Sequence, residues 1–305
     1  MLEIYKTING KLKRVSEATN GTWINIAEPN NADLKRLRAL TKGADEIIEY
    51  MHDADEVPKI ERLDRELFIL IRTPQKRMAE PEYFTIPLGI ILSKRHLITF
   101  CTIKNDVIEE LKKGEINTGK KIQTVLKLLL VSSRLYLNYL KSINKLSHII
   151  QQDLEKSMKN EELVKLLNLE KSLVYFTTSL RSNLLIISKL TRDKVFTKYE
   201  EDRELLEDVR YEYEQAMQMA DIYSNILSGM MDAFASIISN NLNRVMKLLT
   251  SVTIILMIPT LIASIYGMNI ALPFQHSEHA FLITMLISAL LSAMGIIIFW
   301  RKELF

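Results

Sequence analysis

Two long stretches without charge near the C-terminal end constrain the fold more than any other feature. Residues 248–277 and 279–300 contain no Asp, Glu, Lys or Arg. Each supplies about 20 apolar residues, which as a helix span the roughly 30 Å hydrocarbon core of a bilayer. The alternative is a pair of core helices in a soluble protein, but such helices normally carry a polar face, and the second stretch has none. The sequence therefore predicts two membrane-spanning helices joined as a hairpin.

The basic residues beside these stretches indicate an orientation. Arg244 and Lys247 precede the first span, Arg301 and Lys302 follow the second, and the intervening loop 269–279 has neither Lys nor Arg. The positive-inside rule then puts both termini in the cytoplasm and the loop outside. The N-terminal sequence lacks the apolar core of a signal peptide. We therefore expect a protein of the cell (inner) membrane whose large N-terminal part is cytosolic.

The remaining composition excludes several classes of protein. A single cysteine, Cys101, excludes a disulfide framework and a Cys-based zinc site. The formal charge of +3 gives no overall case for a nucleic-acid partner. The sequence has no Gly-rich phosphate loop, no GxSxG and no HExxH, so we expect neither an enzyme nor an organic cofactor. With 9 Gly and 7 Pro among 305 residues, long helices are favoured.

The N-terminal part has the pattern of a mixed α/β fold. Segments rich in β-branched and aromatic residues predict seven strands, at 2–8, 11–16, 22–28, 59–63, 66–72, 82–92 and 96–103. Pro29-Asn30-Asn31 is typical of a helix start, and the sequence SKRH at 93–96 is typical of a hairpin turn.

Apolar residues then recur at helical spacing almost without interruption. Two helices, at about 118–158 and 161–191, predict an antiparallel helical hairpin. A third helix begins near Lys198 and continues into the first span, with only Gly229 interrupting it before Pro259. Because a helix of about 70 residues would be roughly 105 Å long, it should pack against that hairpin or against copies of itself.

The fold class predicted is therefore an α+β cytosolic domain with long helices plus a two-helix transmembrane hairpin. The predicted parts are an α/β domain at 1–117, a helical hairpin at 118–197, a stalk helix at 198–247, membrane spans at 248–268 and 280–300, an external loop at 269–279 and a basic tail at 301–305.

The start of the stalk helix is acidic. Nine Asp and Glu residues within 200–221 stand beside only Arg203 and Arg210. A solvated helical face is the ordinary interpretation. The functional alternative is a surface that binds divalent cations, since these hard ions take oxygen ligands.

A polar stripe continues along the same helix into the membrane. Steps of four and three residues pass through Asp232, Ser236, Ser239, Asn243, Met246, Thr250, Thr253, Met257, Thr260, Ser264 and Gly267. Such a stripe should not face lipid, because polar groups in hydrocarbon need partners. It indicates either a helix-packing seam or a pore wall. A protomer with two spans cannot enclose a pore, so the second alternative requires an oligomer. Hydroxyl, amide and thioether groups suit a hydrated cation, and methionines can form dewetting constrictions.

The second span has a seam of its own, at Thr284, Ser288, Ser292 and Gly295, which is most simply explained by packing.

The end of the first span carries the most specific motif. Tyr266-Gly267-Met268-Asn269 stands before a short loop, a last span and a basic tail, and it resembles the YGMN signature of the CorA family of divalent cation transporters. The preceding run at 240–265 is also similar to that family, as is the segment PKIERLDRELFILIR. The resemblance is firm over about 200–305 and diffuse before it.

This resemblance implies a funnel-shaped homopentamer that passes Mg²⁺, often with Co²⁺ and Ni²⁺. It implies that Asn269 binds the hydrated ion at the outer mouth, in a ring shaped by Gly267 and Met268. Positions that match the family pore, or lie on the stripe, are Asp232, Asn243, Met246, Leu249, Thr253, Met257, Thr260 and Ser264.

The resemblance also implies gating by Mg²⁺ bound between neighbouring cytosolic domains. Asp208 matches the stalk carboxylate of that sensor, and Asp53, Asp55 and Glu56 are candidate partners.

Two positions depart from the family pattern. Ser264 stands where the family often has Gly, and the external loop IALPFQHSEHA keeps a single carboxylate, Glu278. His276 and His279 in that loop are either solvated or able to bind Zn²⁺ or Ni²⁺.

The sequence thus predicts a channel for hydrated Mg²⁺ that is gated by cytosolic Mg²⁺, with Mg²⁺ as both transported and regulatory ion. Its expected partners are copies of itself, the lipid bilayer and divalent cations, without nucleic acid. A ZntB-like zinc transporter of the same family and a membrane-tethered scaffold without transport are the alternatives. The order of ion preference and any proton coupling stay open.

Overall fold

The computed structural model describes residues 1–53, 55–63, 66–157, 160–270, 272–273 and 277–302. The chain divides into two compact units, Met1–Gly229 and Met230–Phe305. The elements in chain order are β1 (Leu2–Ile8), β2 (Lys11–Val15), β3 (Thr22–Ala27), α1 (Asn31–Leu40), α2 (Ala44–His52), β4 (Lys59–Leu63), β5 (Glu66–Lys76), β6 (Tyr83–Leu92), β7 (His96–Cys101), α3 (Asp106–Leu111), α4 (Lys121–Ser157), α5 (Asn160–Leu190), α6 (Glu200–Tyr266) and α7 (Ala280–Arg301).

The first unit contains a seven-stranded sheet in the order β2-β1-β3-β7-β6-β5-β4. All seven predicted strands are confirmed, and neighbours pair antiparallel except β3 with β7, which run parallel. β5 continues four residues beyond the predicted end, because Thr73 to Lys76 stay paired with β6 up to Tyr83. A core of aliphatic and aromatic side chains lies between this sheet and helices α1 and α2.

Local capping explains where the shorter helices begin. The Asn30 side chain accepts a hydrogen bond from the Asp33 amide at 2.8 Å, and the Asp33 carboxylate accepts one from the Asn30 amide at 3.2 Å. This reciprocal capping box fixes the start of α1 as predicted. The sequence pattern did not predict α2, whose N-cap is Gly43 without a side-chain cap; burial of Ile47 and Met51 holds it instead.

The helical hairpin and the long third helix are both observed. In the first unit, α6 packs on α4: the rings of Tyr136 and Tyr213 lie 6.3 Å apart, and Arg134 pairs with Glu212 at 3.6 Å. The buried side of α6 there comprises Leu206, Val209, Tyr213, Ala216 and Ala220. The first turns of the stalk therefore bury an apolar face against the preceding helical hairpin. This is the first of the two predicted alternatives, the second being packing against copies of the chain.

Two glycines in very different surroundings allow a matched test of the core between the sheet and α2. A Cβ added at Gly89 in β6 would lie 3.2 Å from the Met51 sulfur and 3.2 Å from Phe68, whereas no atom lies within 4 Å of one added at Gly229 in α6. We expect Gly89→Ala to lower the free energy of unfolding by about 1–3 kcal/mol through overpacking. Gly229→Ala should raise it by about 0.5–1 kcal/mol, because Ala loses less backbone entropy in a helix. Chemical denaturation of the purified full chain measures both, and equal effects of the two substitutions would contradict this assignment of the core.

Candidate functional site

The candidate site lies in the second unit, where α6 and α7 form a hairpin. Within the described part of the chain, α6 and α7 are the two helices long and apolar enough to cross a membrane. Gly295 of α7 approaches α6 closely, since an added Cβ would lie 3.4 Å from Cδ1 of Ile258 and 3.9 Å from Cγ1 of Ile255. Ser251 and Ile262, one turn beyond on either side, are only 4% and 9% exposed. These four residues define the packed face of α6.

Small residues on α7 make this approach possible. Ser288 is buried at 9% exposure, and the Ser292 hydroxyl is buried without a hydrogen-bond partner among the described residues. Gly295 follows three residues later on the same side of α7. The seam predicted on the second span therefore packs against the first span, because small side chains let two helices approach. Thr284, also on this seam, donates its hydroxyl hydrogen to the Ala280 carbonyl at 2.8 Å.

The polar stripe of α6 is on the other side of the helix. At 3.6 residues per turn, the packed face and the stripe within the span are centred about 150° apart around the helix axis. Met246, Leu249 and Met257 are 52%, 60% and 62% exposed in this single chain. The remaining predicted pore positions are exposed as well: Asp232, Asn243, Thr253, Thr260 and Ser264. Packing within the hairpin is therefore not the reason for the stripe.

The hydroxyl groups of the stripe have a defined hydrogen-bond arrangement. Thr253 donates to the Leu249 carbonyl at 2.8 Å, and Thr260 donates to the Leu256 carbonyl at 3.2 Å. Ser236, nearer the start of the stripe, donates to the carbonyl of Asp232 at 3.1 Å. Because each hydroxyl hydrogen is directed back into the helix, the oxygen retains lone pairs that can accept hydrogen bonds from outside.

The signature residues lie where α6 ends. The Gly267 amide still donates to the Ala263 carbonyl at 2.9 Å, and the Met268 amide donates to Ile265 at 3.2 Å. A Cβ at Gly267 would lie 3.2 Å from the Ala263 carbonyl oxygen, so glycine relieves crowding at this helix end. Gly267, Met268 and Asn269 are all exposed.

The loop after the signature contacts the last turn of α6. The Tyr266 hydroxyl donates to the Pro273 carbonyl at 3.4 Å, which connects the last turn of α6 to the loop. Glu278 and His279 are exposed near the start of α7. His276 lies outside the described residues, so the predicted alternatives for the histidine pair stay predictions.

The predicted regulatory carboxylates all belong to the first unit. Asp208 is exposed on α6, and Asp53 and Asp55 are exposed after α2. The Glu56 carboxylate pairs with Lys59 at 2.9 Å. Burial lowers the pKa of Lys59, but its hydrogen bond to the Glu56 carboxylate and the surrounding negative charges together outweigh burial and hold the pKa above its ordinary value. Within the described residues, no group of three His, Cys, Asp or Glu side chains is arranged to hold a metal ion. A single chain therefore does not bring these carboxylates together.

The acidic start of α6 has cationic partners that the sequence pattern missed. Glu201 pairs with Lys120 at 3.3 Å, and Glu212 pairs with Arg134 at 3.6 Å. Both cations lie at or near α4, some 80 residues earlier in the chain, and no local spacing connects them to α6. Part of the acidic surface is therefore neutralised within the chain.

The hairpin contact leads to a test of its geometry. Gly295→Leu should force α7 away from Ile258, and overpacking typically costs about 1–3 kcal/mol. Ala293→Leu is the matched control, because residue 293 is exposed. We expect Gly295→Leu to lower the thermal unfolding midpoint of the detergent-solubilised protein more than Ala293→Leu does. The opposite order would contradict the observed packed face.

Comparisons with known proteins agree with this architecture. Residues 19–302 match the family described as CorA-like Mg²⁺ transporter protein. The cobalt/magnesium transport protein CorA of Methanocaldococcus jannaschii is 28% identical over 288 residues, covering 92% of this chain and 90% of the relative. The complete structure of the CorA magnesium transporter from that organism superposes with a TM-score of 0.84 at 25% identity, covering 99% of this chain and 98% of the other.

The cytoplasmic domain of ZntB from Vibrio parahaemolyticus is a more distant structural neighbour. It has a TM-score of 0.60 at 12% identity and covers 78% of this chain and 96% of its own. This likeness extends to the fold alone. The family match, in contrast, covers nearly the whole chain, so the resemblance found in the sequence is confirmed, and so is the prediction that the chain is a transporter and not an enzyme. The chain is a membrane protein that belongs to the CorA-like Mg²⁺ transporter family.

Proposed function

We propose that this chain forms a homopentameric channel that passes hydrated Mg²⁺ across the cell membrane, and that Co²⁺ and Ni²⁺ are further substrates. The observation that carries this proposal is the exposed polar stripe of α6, opposite the face packed against α7. In a bilayer, such a stripe needs another chain or water to face, since lipid offers polar groups no partner. A ring of copies that turn their stripes inward supplies both.

The stripe suits a cation that keeps its water shell. Water molecules around a cation point their hydrogens outward, and they therefore require acceptors from the wall. Thr253 and Thr260 donate their hydroxyl hydrogens to helix carbonyls, which leaves oxygen lone pairs for that role. Mg²⁺ gives up its water reluctantly, so a wall of acceptors without fixed charges favours passage of the hydrated ion.

The signature residues would form the outer binding ring. Asn269 is exposed directly after the end of α6, where an amide oxygen can accept hydrogen bonds from the hydrated ion. Gly267 and Met268 shape the same ring. The exposed Asp232 would form the inner end of the pathway, with Asn243 about three turns further along the stripe.

Apolar residues on the stripe and beside it would act as the gate. Met246, Leu249 and Met257 are exposed on the same side of α6, one to two turns apart. Brought together in a ring, they form apolar constrictions that close by dewetting. Transport through the open pore needs no ATP, because a divalent ion that crosses 100 mV gains about 4.6 kcal/mol, twice the roughly 2.3 kcal/mol of one elementary charge.

Regulation would come from Mg²⁺ bound between neighbouring cytosolic units. Asp208 is exposed, and it would pair with a carboxylate of the adjacent copy. Asp53, Asp55 and Glu56 are the candidates, and Asp55 is favoured because Glu56 is held by Lys59 and an Asp53 oxygen accepts a bond from the Asp55 amide. Both termini would face the cytoplasm, where Arg244, Lys247, Arg301 and Lys302 meet the inner leaflet.

The outer ring is tested by uptake into liposomes. We expect Asn269→Ala to reduce Mg²⁺ uptake at least about tenfold, a change of roughly 1.4 kcal/mol, because it removes the amide that meets the hydrated ion. Asn240→Ala is the matched control, since Asn240 is likewise an exposed asparagine but lies within α6 and off the stripe.

Competing Co²⁺, Ni²⁺ and Zn²⁺ in the same assay give the ion order. Zn²⁺ uptake in preference to Mg²⁺ would favour the zinc-transporter alternative. Uptake that Asn269→Ala leaves unchanged would argue against the proposed mouth and for a scaffold without transport.

The regulatory proposal is tested by Mg²⁺ on the cytosolic side. Half-inhibition of transport should require about tenfold more internal Mg²⁺ in Asp208→Asn than in the unsubstituted protein, because one carboxylate of the site loses its charge. Glu204→Gln neutralises an exposed carboxylate one turn away on α6 and should leave that concentration unchanged. Identical inhibition of Asp208→Asn and the unsubstituted protein would refute the role of Asp208.

A further inference from the structure

A cavity in the first unit lies where α4 and α6 begin. Its volume is about 870 Å³, within the range of roughly 300–1,000 Å³ typical of small-molecule sites. Its apolar walls come from the paired strand ends of β5 and β6 and from the segments that lead into the two helices. The wall residues that matter here are Leu67, Leu92, Ile122, Val195 and Tyr199.

The cationic side chains around this cavity already have acceptors. Arg62 pairs with Asp193 at 2.7 Å, and Lys120 pairs with Glu201 at 3.3 Å. The Lys121 ammonium donates to the carbonyl of Ser93 at 2.5 Å and to that of Lys94 at 2.7 Å. Among the cations that line the cavity, this leaves the exposed side chain of Lys94 at its rim.

The acidic side chains that line this cavity also have ion-pair partners, with one exception. Glu200 pairs with Arg203, and Glu201 also accepts a hydrogen bond from Gln123 at 3.0 Å. Asp202 lines the cavity and is only 5% exposed, yet within the described part of the chain no ion pair or hydrogen bond reaches its carboxylate. Burial raises the pKa of Asp202; Glu201 adds to the rise, and Lys120 opposes it.

A carboxylate on a largely buried residue that has no ion-pair or hydrogen-bond partner is costly, and it marks a position where a cation would be stabilised. A bare metal ion fits poorly, because no group of three His, Cys, Asp or Glu side chains is arranged to hold one within the described residues. The apolar walls instead favour a ligand with a hydrocarbon body. We propose that this cavity binds a small organic ammonium ion, whose charged group meets Asp202 and whose hydrocarbon chain lies against Leu67, Leu92 and Ile122.

The site is tested with hexylammonium as the probe and the full chain in detergent as the protein. Isothermal titration should detect saturable binding of hexylammonium that is at least about tenfold tighter than that of neutral hexanol, corresponding to roughly 1.4 kcal/mol for the ion pair. Asp202→Asn should remove this difference while it preserves side-chain size. Glu207→Gln neutralises an exposed carboxylate on the same helix and should leave binding unchanged.

A second variant tests the position of the hydrocarbon chain. Ile122→Trp fills the cavity and should abolish binding of both hexylammonium and hexanol, and thermal unfolding reports whether each variant is folded. Equal affinity for hexylammonium in Asp202→Asn and the unsubstituted protein would overturn the proposal. So would tighter binding of hexanoate, which would indicate an anion held by the two helix N-termini.

Discussion

The close contact between Gly295 of α7 and Ile258 of α6 decides which part of the first span remains available for function. A helix in lipid has one circumference to share among a partner helix, other subunits and lipid. Because small residues on α7 fix its position on one side of α6, the polar stripe is left on the opposite side. The hydroxyls of Thr253 and Thr260 then face away from the hairpin as hydrogen-bond acceptors.

The same helix meets two different solvents, and its residues change accordingly. In the first unit α6 buries Leu206, Val209 and Tyr213 against the helical hairpin and carries carboxylates outward. From Leu248 to its end α6 carries no charge, since a charge in hydrocarbon is expensive. The net charge of +3 therefore combines a strongly charged first unit with a nearly uncharged span. Few Gly and Pro residues allow one helix to serve both, with Pro259 accommodated inside it.

The sequence predicted most of the fold, because the signals for it are local. Strand periodicity found all seven strands, and Asn30 fixed the start of α1. Helix α2 was missed because it has no side-chain cap, and its stability comes from tertiary burial of Ile47. The stripe was visible as a period, but its two interpretations could not be separated until the position of α7 was known. Lys120 and Arg134 were missed as partners of the acidic segment because their proximity depends on how α4 packs.

Charge pairing in the first unit explains why a carboxylate-rich helix start is not by itself a metal site. Lys120, Arg134 and Arg203 neutralise several of its acidic residues, and Glu56, a proposed partner across subunits, is held by Lys59. Among the acidic residues of this segment for which the structure shows no ion pair within the described part of the chain are the exposed Asp208 and the buried Asp202, which differ in the ligand they favour. An exposed carboxylate keeps its hydration and can share a hydrated divalent ion with a neighbouring copy. A buried one in an apolar cavity favours a cation that brings its own hydrocarbon surface, because only such a ligand satisfies the charge and the walls together.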